Sequence, residues 1–232
     1  MAIPSPNIWH WPELYEIENR AQDADGAVYR TLSGLVDWTD GVVVDLGCGS
    51  GFHLPMFAQS ASSVIGVEPH PPLVAAARRR TRDVEHVRVS EGTAESVPVE
   101  DGVADLVHAR TAYFFGPGCG AGIAEAMRVL KPGGVLAVVD LDATAGAYGR
   151  WMRRDLPQYD PARVEKFFEA QGFDLVRIDT RWEFPDRDAL RAVLAIEFTK
   201  RTAAHAFEQT PGVALDVRYR LHTRARPTGL VL

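Results

Sequence analysis

A chain of 232 residues is long enough to bury the core of one α/β domain, and domains of this length commonly stay undivided. Its 46% hydrophobic and 24% charged residues are typical of a globular protein, and no apolar run reaches the roughly 20 residues that span a bilayer. A net charge of -6 argues against a broad nucleic-acid footprint, because neutralising phosphates needs a surplus of Lys and Arg. We therefore expect a soluble protein that binds neither membranes nor nucleic acid.

The beginning of the sequence lacks the basic stretch and apolar segment of a secretory signal, so a cytoplasmic location is expected. The two cysteines, Cys48 and Cys119, have no reason to pair in a reducing compartment and are too few for a structural zinc site. No HExxH, EF-hand or paired CxxC pattern occurs. The sequence thus predicts no bound metal.

Residues 1–40 precede the first predicted strand and are expected to form one or two helices added to the core. They contain several large aromatic residues, namely Trp9, Trp11, Tyr15 and Tyr29. These aromatics either pack the added helices onto the domain or form a lid over a substrate. The sequence leaves both interpretations open.

From position 41 onwards, apolar β-rich runs alternate with helical patterns, as is typical of βαβ units and a largely parallel sheet. The first strand, 41–47, is almost continuously apolar, which favours a central position covered by helices on both faces. The next predicted elements are strand 64–67, helix 72–80, strand 86–89, strand 104–108, helix 122–130, a turn at 131–134 and strand 135–140.

The C-terminal part continues the alternation. Asp160 is predicted to cap a helix that begins at Pro161 and ends at Gly172, and an extended run follows at 173–180. Asp186 is predicted to cap a further helix, after which 213–223 alternates enough to be the last strand.

A glycine-rich turn follows the first strand, in the sequence VDLGCGSG, with glycines at 47, 49 and 51. Glycine lets the backbone turn tightly and approach a bound group, while the start of the following helix offers N–H donors to an anion such as a carboxylate. Glu68 ends the next strand, where a carboxylate can accept hydrogen bonds from a ribose diol. A dinucleotide fingerprint would need glycine at the position of Phe52, so the pattern is GxGxG instead.

At these residues the sequence resembles the class I S-adenosylmethionine-dependent methyltransferases, particularly the small-molecule branch with a compact methyltransferase domain. The similarity covers roughly 42–142 and rests on DLGCGSG at 45–51, Glu68, GTAESVP at 92–98, DLV at 105–107 and LKPGG at 130–134. It implies a Rossmann-like α/β fold, with a doubly wound, mostly parallel seven-stranded sheet whose last strand is antiparallel. We expect one methyltransferase domain over 1–232, with the helical addition at 1–40, a cofactor-binding core at 41–142 and a C-terminal part at 143–232 that completes the sheet.

The resemblance also implies S-adenosyl-L-methionine as the cofactor and a small molecule as the methyl acceptor. Glu68 would hold the ribose and residues 92–98 would line the adenine. Many relatives carry an acid where this chain has Thr93, so the adenine amino group is assigned to Glu95 or to backbone groups. The predicted cofactor-binding residues are Asp45, Gly47, Cys48, Gly49, Gly51, Glu68, Pro69, Ala94, Glu95 and Arg110, with Cys48 interpreted as a small packed residue rather than a nucleophile.

His108 is the candidate general base, because it ends the fourth strand at the carboxyl edge where doubly wound sheets bind ligands. His53 and His10 are further candidates, and Arg110 and Tyr113 are positioned to orient a polar substrate. Positioning by itself can supply much of the rate of methyl transfer, so no catalytic residue is obligatory.

The leading interpretation is methyl transfer to oxygen or nitrogen of a small metabolite, by a monomer or a homodimer, with S-adenosylhomocysteine as product. An NAD-dependent oxidoreductase is a second interpretation, against which Phe52 and the adenine-type segment at 92–98 argue. A third is a cofactor-binding protein without transfer activity that serves as a partner or scaffold.

Overall fold

The structure, a computed structural model, describes residues 6–229. The helices and strands of this part are, in chain order, α1 (Pro6–His10), α2 (Pro12–Ala21), α3 (Ala27–Leu35), β1 (Val42–Leu46), α4 (Leu54–Phe57), β2 (Ser63–Glu68), α5 (Pro71–Thr81), β3 (Val87–Glu91), β4 (Ala104–Arg110), α6 (Gly120–Val129), β5 (Leu130–Leu141), α7 (Gly146–Asp155), α8 (Pro161–Ala170), β6 (Asp174–Glu183), α9 (Arg187–Glu197), α10 (Lys200–Gln209) and β7 (Ala214–Ala225). None of the helices in the described part has both the length and the apolar composition needed to cross a membrane.

The strands form one seven-stranded sheet in the order β3-β2-β1-β4-β5-β7-β6. β1 lies parallel to β2 on one side and to β4 on the other, so that Val44 is opposite both Ile65 and Val107. β7 runs antiparallel between β5 and β6. The predicted mostly parallel sheet with an antiparallel last strand is therefore confirmed.

The central strands separate two layers of core. Val43 and Val44 are both fully buried in β1, yet successive residues of a strand point to opposite faces of the sheet. Val43 packs in a cluster with Leu32 of α3 and Leu190 of α9, and Val44 packs in another cluster with residues of α6 and α8. This two-sided burial explains the nearly continuous apolar run in the sequence of β1.

Both predicted helix caps are confirmed. The Asp160 side chain accepts hydrogen bonds from the N–H groups of Ala162 and Arg163, and the Asp186 side chain accepts one from the N–H of Ala189. These carboxylates satisfy N–H groups that the first turn of a helix leaves unpaired.

The segment LKPGG differs from its prediction. β5 begins at Leu130, which pairs with Ala104 of β4, so residues 131–134 lie within β5 rather than in a turn before it, although they pair with no residue of β4. The register shifts between Ala104 and Leu106, and a Cβ on Gly134 would lie 2.8 Å from the Ala104 carbonyl oxygen. Glycine thus lets the two strands approach closely at an irregularity in the sheet.

The N-terminal addition contains three helices in the described residues, where one or two are predicted, and helices α4, α7 and α10 have no counterpart in the sequence-based assignment. α4 has four residues, which is too short to show a helical period. Along the sheet, the order of winding reverses between β1 and β4, and open α/β sheets bind ligands at the carboxyl ends of strands beside such a point.

Candidate functional site

A cavity of about 240 Å³ lies at the carboxyl ends of β3, β2, β1 and β4. Its walls combine the glycine turn after β1, the end of β2, and the segments that follow β3 and β4. Helices α1 and α2 close the cavity from above, through Ile8, Trp9, Tyr15, Asn19 and Gln22. The cavity occupies the place that the reversal of winding marks for a ligand.

The glycine turn needs glycine for its own backbone and packing. Gly47, Gly49 and Gly51 have φ values of 70°, 56° and 78°, a left-handed region that other residues rarely adopt. A Cβ on Gly47 would lie 2.6 Å from Cβ of Ala112, and one on Gly49 would lie 2.7 Å from Cδ1 of Ile8. The absence of side chains at these glycines therefore leaves room for neighbouring residues of the protein as well as for a ligand.

The backbone N–H groups of this turn are divided between the protein and the cavity. Those of Gly47 and Cys48 donate to the carbonyl of Val67, and that of Gly49 donates to Glu68. The N–H groups of Ser50, Phe52 and His53 make no hydrogen bond to any described residue. Because α4 is one turn long, these three loop N–H groups, rather than a long helix, are the donors that the segment offers to an anion.

The carboxylate of Glu68 is fixed by the backbone at the cavity wall. Its Oε2 accepts from the N–H of Gly49 at 3.0 Å, and its Oε1 accepts from the N–H of His70 at 3.0 Å. Burial raises the pKa of Glu68, while these two N–H donors oppose that rise. Since each carboxylate oxygen can accept a second hydrogen bond, the group remains able to bind the two hydroxyls of a ribose.

An aromatic side chain covers the end of β2. Trp9 of α1 stacks on the imidazole of His70, with ring centroids 4.3 Å apart and planes inclined by 12°. Trp9 and Tyr15 line the cavity, whereas Trp11 is 55% exposed and Tyr29 packs on the ring of Trp38. The positions of Trp9 and Tyr15 thus agree with the lid interpretation, and that of Tyr29 agrees with the packing interpretation.

The loop after β4 forms the opposite wall, with unusual backbone geometry. Thr111 and Tyr113 have φ values of 45° and 56°, which are uncommon for residues other than glycine. Tyr113 donates a hydrogen bond from its hydroxyl to Oε1 of Glu95 at 3.0 Å, tying this loop to the segment after β3. Strained backbone of this kind collects at ligand-binding sites, where surrounding contacts maintain it.

The structure brings most of the predicted cofactor residues together at the cavity. Those in its wall are Gly47, Cys48, Gly49, Glu68, Pro69, Ala94, Glu95 and Arg110. Asp45, Gly51 and His108 are not among the residues that line it. Burial raises the pKa of the Cys48 thiol, which keeps it protonated and agrees with a packed residue rather than a nucleophile.

Asp45 and His108 form a buried pair behind the cavity. Nδ1 of His108 lies 2.7 Å from Oδ1 of Asp45, and both side chains are about 4% exposed. His108 lines a second cavity of about 210 Å³, which shares several walls with the first, among them His53 and Arg110. The role of His108 as a base stays a prediction, because its side chain does not line the larger cavity.

If His108 is the general base, His108→Ala should lower kcat by about 10²- to 10⁴-fold, the usual contribution of acid–base catalysis. Affinity for S-adenosylhomocysteine should remain, since His108 lies outside the larger cavity. The measurement is methyl transfer under saturating acceptor and cofactor, with His86→Ala, at an exposed position outside both cavities, as the matched control. A kcat equal to that of the wild type would remove His108 from the chemistry.

A buried hydrogen-bonded network holds the added helices in place. Glu197 of α9 accepts from Nδ2 of Asn7 and from the hydroxyl of Tyr148, each at 2.5 Å. Oε1 of Glu18 on α2 accepts from Nε2 of Gln22 at 2.8 Å, and the charge of Glu197 acts on the same carboxyl. Burial, and then the charge of Glu197, raise the pKa of Glu18 well above its usual value, which favours its neutral form.

Sequence reasoning missed Asn19 of α2 and Gln22, which directly follows α2, although both line the cavity. Both lie outside the motif region, and a polar residue on or beside an amphipathic helix carries no local sign of a ligand. No group of three or more His, Cys, Asp or Glu residues is arranged to hold a metal ion within the described chain, residues 6–229.

Comparison with known proteins matches residues 44–138 to the family described as "Methyltransferase domain". An uncharacterized methyltransferase of Synechocystis, sll0829, is 37% identical over 101 residues, which are 43% of this chain and 46% of that protein. A ubiquinone biosynthesis O-methyltransferase of Azorhizobium caulinodans is 26% identical over 167 residues, 65% of this chain and 63% of that protein.

The crystal structure of the YcgJ protein from Bacillus subtilis shares the fold, with a TM-score of 0.61 at 19% identity over 86% of this chain and 98% of that chain. This chain spans less than two thirds of each of the first curated relatives that it matches. The matched domain contains the glycine turn, Glu68 and the segment after β3, which form part of the cavity wall. The matched domain, the curated relatives and the shared fold together support a class I S-adenosylmethionine-dependent methyltransferase.

Proposed function

We propose that this protein transfers the methyl group of S-adenosyl-L-methionine to an oxygen or nitrogen atom of a small metabolite and releases S-adenosylhomocysteine. The observation that carries the proposal is one continuous cavity that begins at Glu68 and the glycine turn and ends under α2. The Glu68 carboxylate at one end can accept hydrogen bonds from the ribose of the cofactor. Polar side chains at the other end can hold the methyl-accepting substrate in line with the methyl group.

The residues present fit the cofactor of the family. Glu68 is a carboxylate held at the wall by two N–H donors, and the loop N–H groups of Ser50, Phe52 and His53 lack protein partners among the described residues. In this proposal Glu68 holds the ribose, 92–95 line the adenine, and the loop N–H groups take the carboxylate of the methionine part. The bound cofactor supplies a sulfonium methyl group, and the protein's contribution is binding and orientation.

A small acceptor is favoured because the added helices enclose the cavity. Glu197 holds Asn7 at the start of α1, which keeps the neighbouring Ile8 and Trp9 over the glycine turn and the end of β2. Excluding water in this way strengthens polar interactions inside the site and keeps reactants in a productive arrangement. A macromolecular acceptor would have to displace these helices.

The state of His53 bears on how a proton leaves the acceptor. Burial, together with the positive charge of Arg110 nearby, lowers the pKa of His53 well below its usual value. His53 is therefore neutral at pH 7 and is able to accept a hydrogen bond from an acceptor hydroxyl or amine in the cavity. We propose His108 behind it as the candidate base, as the position at the end of β4 suggests.

Two measurements test the proposal. Calorimetric titration should show one-site binding of S-adenosylhomocysteine by the wild type and no saturable binding of NAD. Methyl-labelled cofactor should then transfer label to a small-molecule fraction of a cell extract. Binding without transfer to any fraction would favour the cofactor-binding protein without activity, and binding of NAD instead would favour the oxidoreductase.

A further inference from the structure

Arg110 occupies an unusual position for a partly buried cation. It ends β4 and lines both cavities, and its Nη2 donates to Oε1 of Gln22 at 3.0 Å. Its Cζ lies 4.9 Å from the centroid of the Tyr219 ring, and its Nε is buried without a hydrogen-bond partner in the described residues. Within residues 6–229, no carboxylate lies close enough to form an ion pair with this guanidinium.

Arg220, another arginine in the interior, has the carboxylate partner that Arg110 lacks in the described part of the chain. Arg220 is fully buried, and its Nη2 lies 3.1 Å from Oδ2 of Asp140 and also donates to the hydroxyl of Tyr159. A charge removed from water is costly unless an opposite charge or hydrogen bonds compensate it. Arg220 has its carboxylate within the protein, whereas Arg110 faces a cavity where one could enter.

The groups around Arg110 do not neutralise it. Gln22 connects Arg110 to Glu18, but burial and the charge of Glu197 raise the pKa of Glu18, which opposes its negative charge. His53 is neutral, since burial and the charge of Arg110 lower its pKa. The amide of Asn19, a 9% exposed residue that lines the same two cavities, makes no hydrogen bond to any described residue. Arg110 and Asn19 are thus a cationic and a neutral donor that both reach the cavity.

The position in the sheet separates Arg110 from the cofactor end. Glu68 ends β2 and Arg110 ends β4, with β1 and its glycine turn between them. On the proposed function, the adenosine lies towards β2 and β3, and the loop N–H groups at 50–53 serve the carboxylate of the methionine part. The remaining end of the cavity, beneath α2, belongs to the acceptor.

We propose that Arg110, together with Asn19, binds a carboxylate of the acceptor substrate, so that the acceptor is a small organic acid. A guanidinium presents a planar fork of donors that matches a carboxylate. One guanidinium also balances one negative charge, which favours a carboxylate over a doubly charged phosphate ester. This inference rests on the proposed function and adds the class of acceptor to it.

The test fractionates a cell extract on an anion exchanger at pH 7 and assays each fraction for label from methyl-labelled cofactor. Acceptor activity should be retained on the exchanger, should elute with salt, and should survive treatment with alkaline phosphatase. Arg110→Gln should raise the KM for the retained acceptor roughly tenfold or more, the usual effect of losing a charge-assisted hydrogen bond, and Arg110→Lys should raise it less. Asn19→Ala should raise KM as well, and Arg79→Gln, at an exposed arginine of α5, is the matched control.

Measurements of cofactor-product binding distinguish loss of the acceptor site in Arg110→Gln from misfolding of the variant and from failure of the proposed function. The Arg110→Gln variant should bind S-adenosylhomocysteine and 5′-methylthioadenosine, which lacks the amino-acid part, as the wild type does. Selective loss of S-adenosylhomocysteine would assign Arg110 to the cofactor carboxylate and overturn the inference. Acceptor activity in the unretained fraction, activity lost to phosphatase, or an unchanged KM in Arg110→Gln would also overturn it. No transfer to any fraction, by wild type that binds S-adenosylhomocysteine, contradicts the proposed methyl transfer itself, and the inference falls with it.

Discussion

Replacing Glu68 by Ala is expected to weaken the binding of S-adenosylhomocysteine by about 100-fold or more. The carboxylate is buried, is oriented by the N–H groups of Gly49 and His70, and faces the cavity. A hydrogen bond to a charged group contributes about 1.5–3 kcal/mol, and a ribose diol would make two. Calorimetric titration of wild type and variant measures the ratio directly.

Glu68→Gln and Glu91→Ala are the matched controls. Gln has a similar shape without the charge and should lose part of the affinity, while Glu91, the exposed residue opposite Glu68 at the end of β3, should have no effect. A variant of Glu68 that folds and binds S-adenosylhomocysteine like the wild type would refute the ribose assignment. The calorimeter also reports whether stoichiometry remains one per chain.

The same carboxylate predicts a pH dependence of cofactor affinity. Burial raises the pKa of Glu68, and the ionised form accepts the ribose hydroxyls. Affinity should therefore be constant above this raised pKa and fall as the pH drops through it. In Glu68→Gln the contribution of this carboxyl to the pH dependence of affinity should disappear. Parallel titrations of wild type and variant over a range of pH therefore test the ribose role of Glu68 without depending on how large the loss of affinity is.

Glu18→Gln is expected to stabilise the protein at alkaline pH. The pKa of Glu18 is raised well above its usual value in the folded state, whereas an unfolded glutamate titrates near about 4.3. Between these two pKa values the folded state binds more protons than the unfolded state, so the free energy of unfolding falls as the pH rises. A glutamine at position 18 keeps a donor for Glu197 and an acceptor for Gln22, without the titration.

Urea unfolding at several pH values measures this effect. The wild type should lose stability from weakly acidic to alkaline pH, and Glu18→Gln should lose less. Glu197→Ala should instead destabilise the protein by about 1–3 kcal/mol for each buried donor that it leaves unpaired, and it should also lower the pKa of Glu18. If the stability of the wild type fell with pH no more steeply than that of Glu18→Gln, the raised pKa of Glu18 would be contradicted.

The carboxyl pair also links the stability of the lid to cofactor release. Glu197 holds Asn7, and the next residues of α1 cover the glycine turn and His70. Loss of this attachment in Asn7→Ala should raise the dissociation rate of S-adenosylhomocysteine, which stopped-flow displacement can measure. Equal dissociation rates in Asn7→Ala and wild type would show that α1 does not retain the cofactor.

The sequence by itself determined the elements whose signals are local. The apolar run of β1, the glycine turn, Glu68 at the end of β2, and the caps Asp160 and Asp186 were all predictable, because each depends on neighbouring residues along the chain. The strand at LKPGG was misassigned as a turn, since its pairing with Ala104 comes from another part of the chain. Local patterns predict the type of an element better than its bounds.

Only the tertiary structure decided what closes the site. Asn7 and Glu197 lie 190 positions apart, and neither has a local signature that would join them. The same holds for Arg110, whose lack of a carboxylate partner becomes visible when every neighbouring element is in place. The lid and the acceptor end are built from contacts between distant segments and from buried charges, and these depend on how the helices pack rather than on any pattern along the chain.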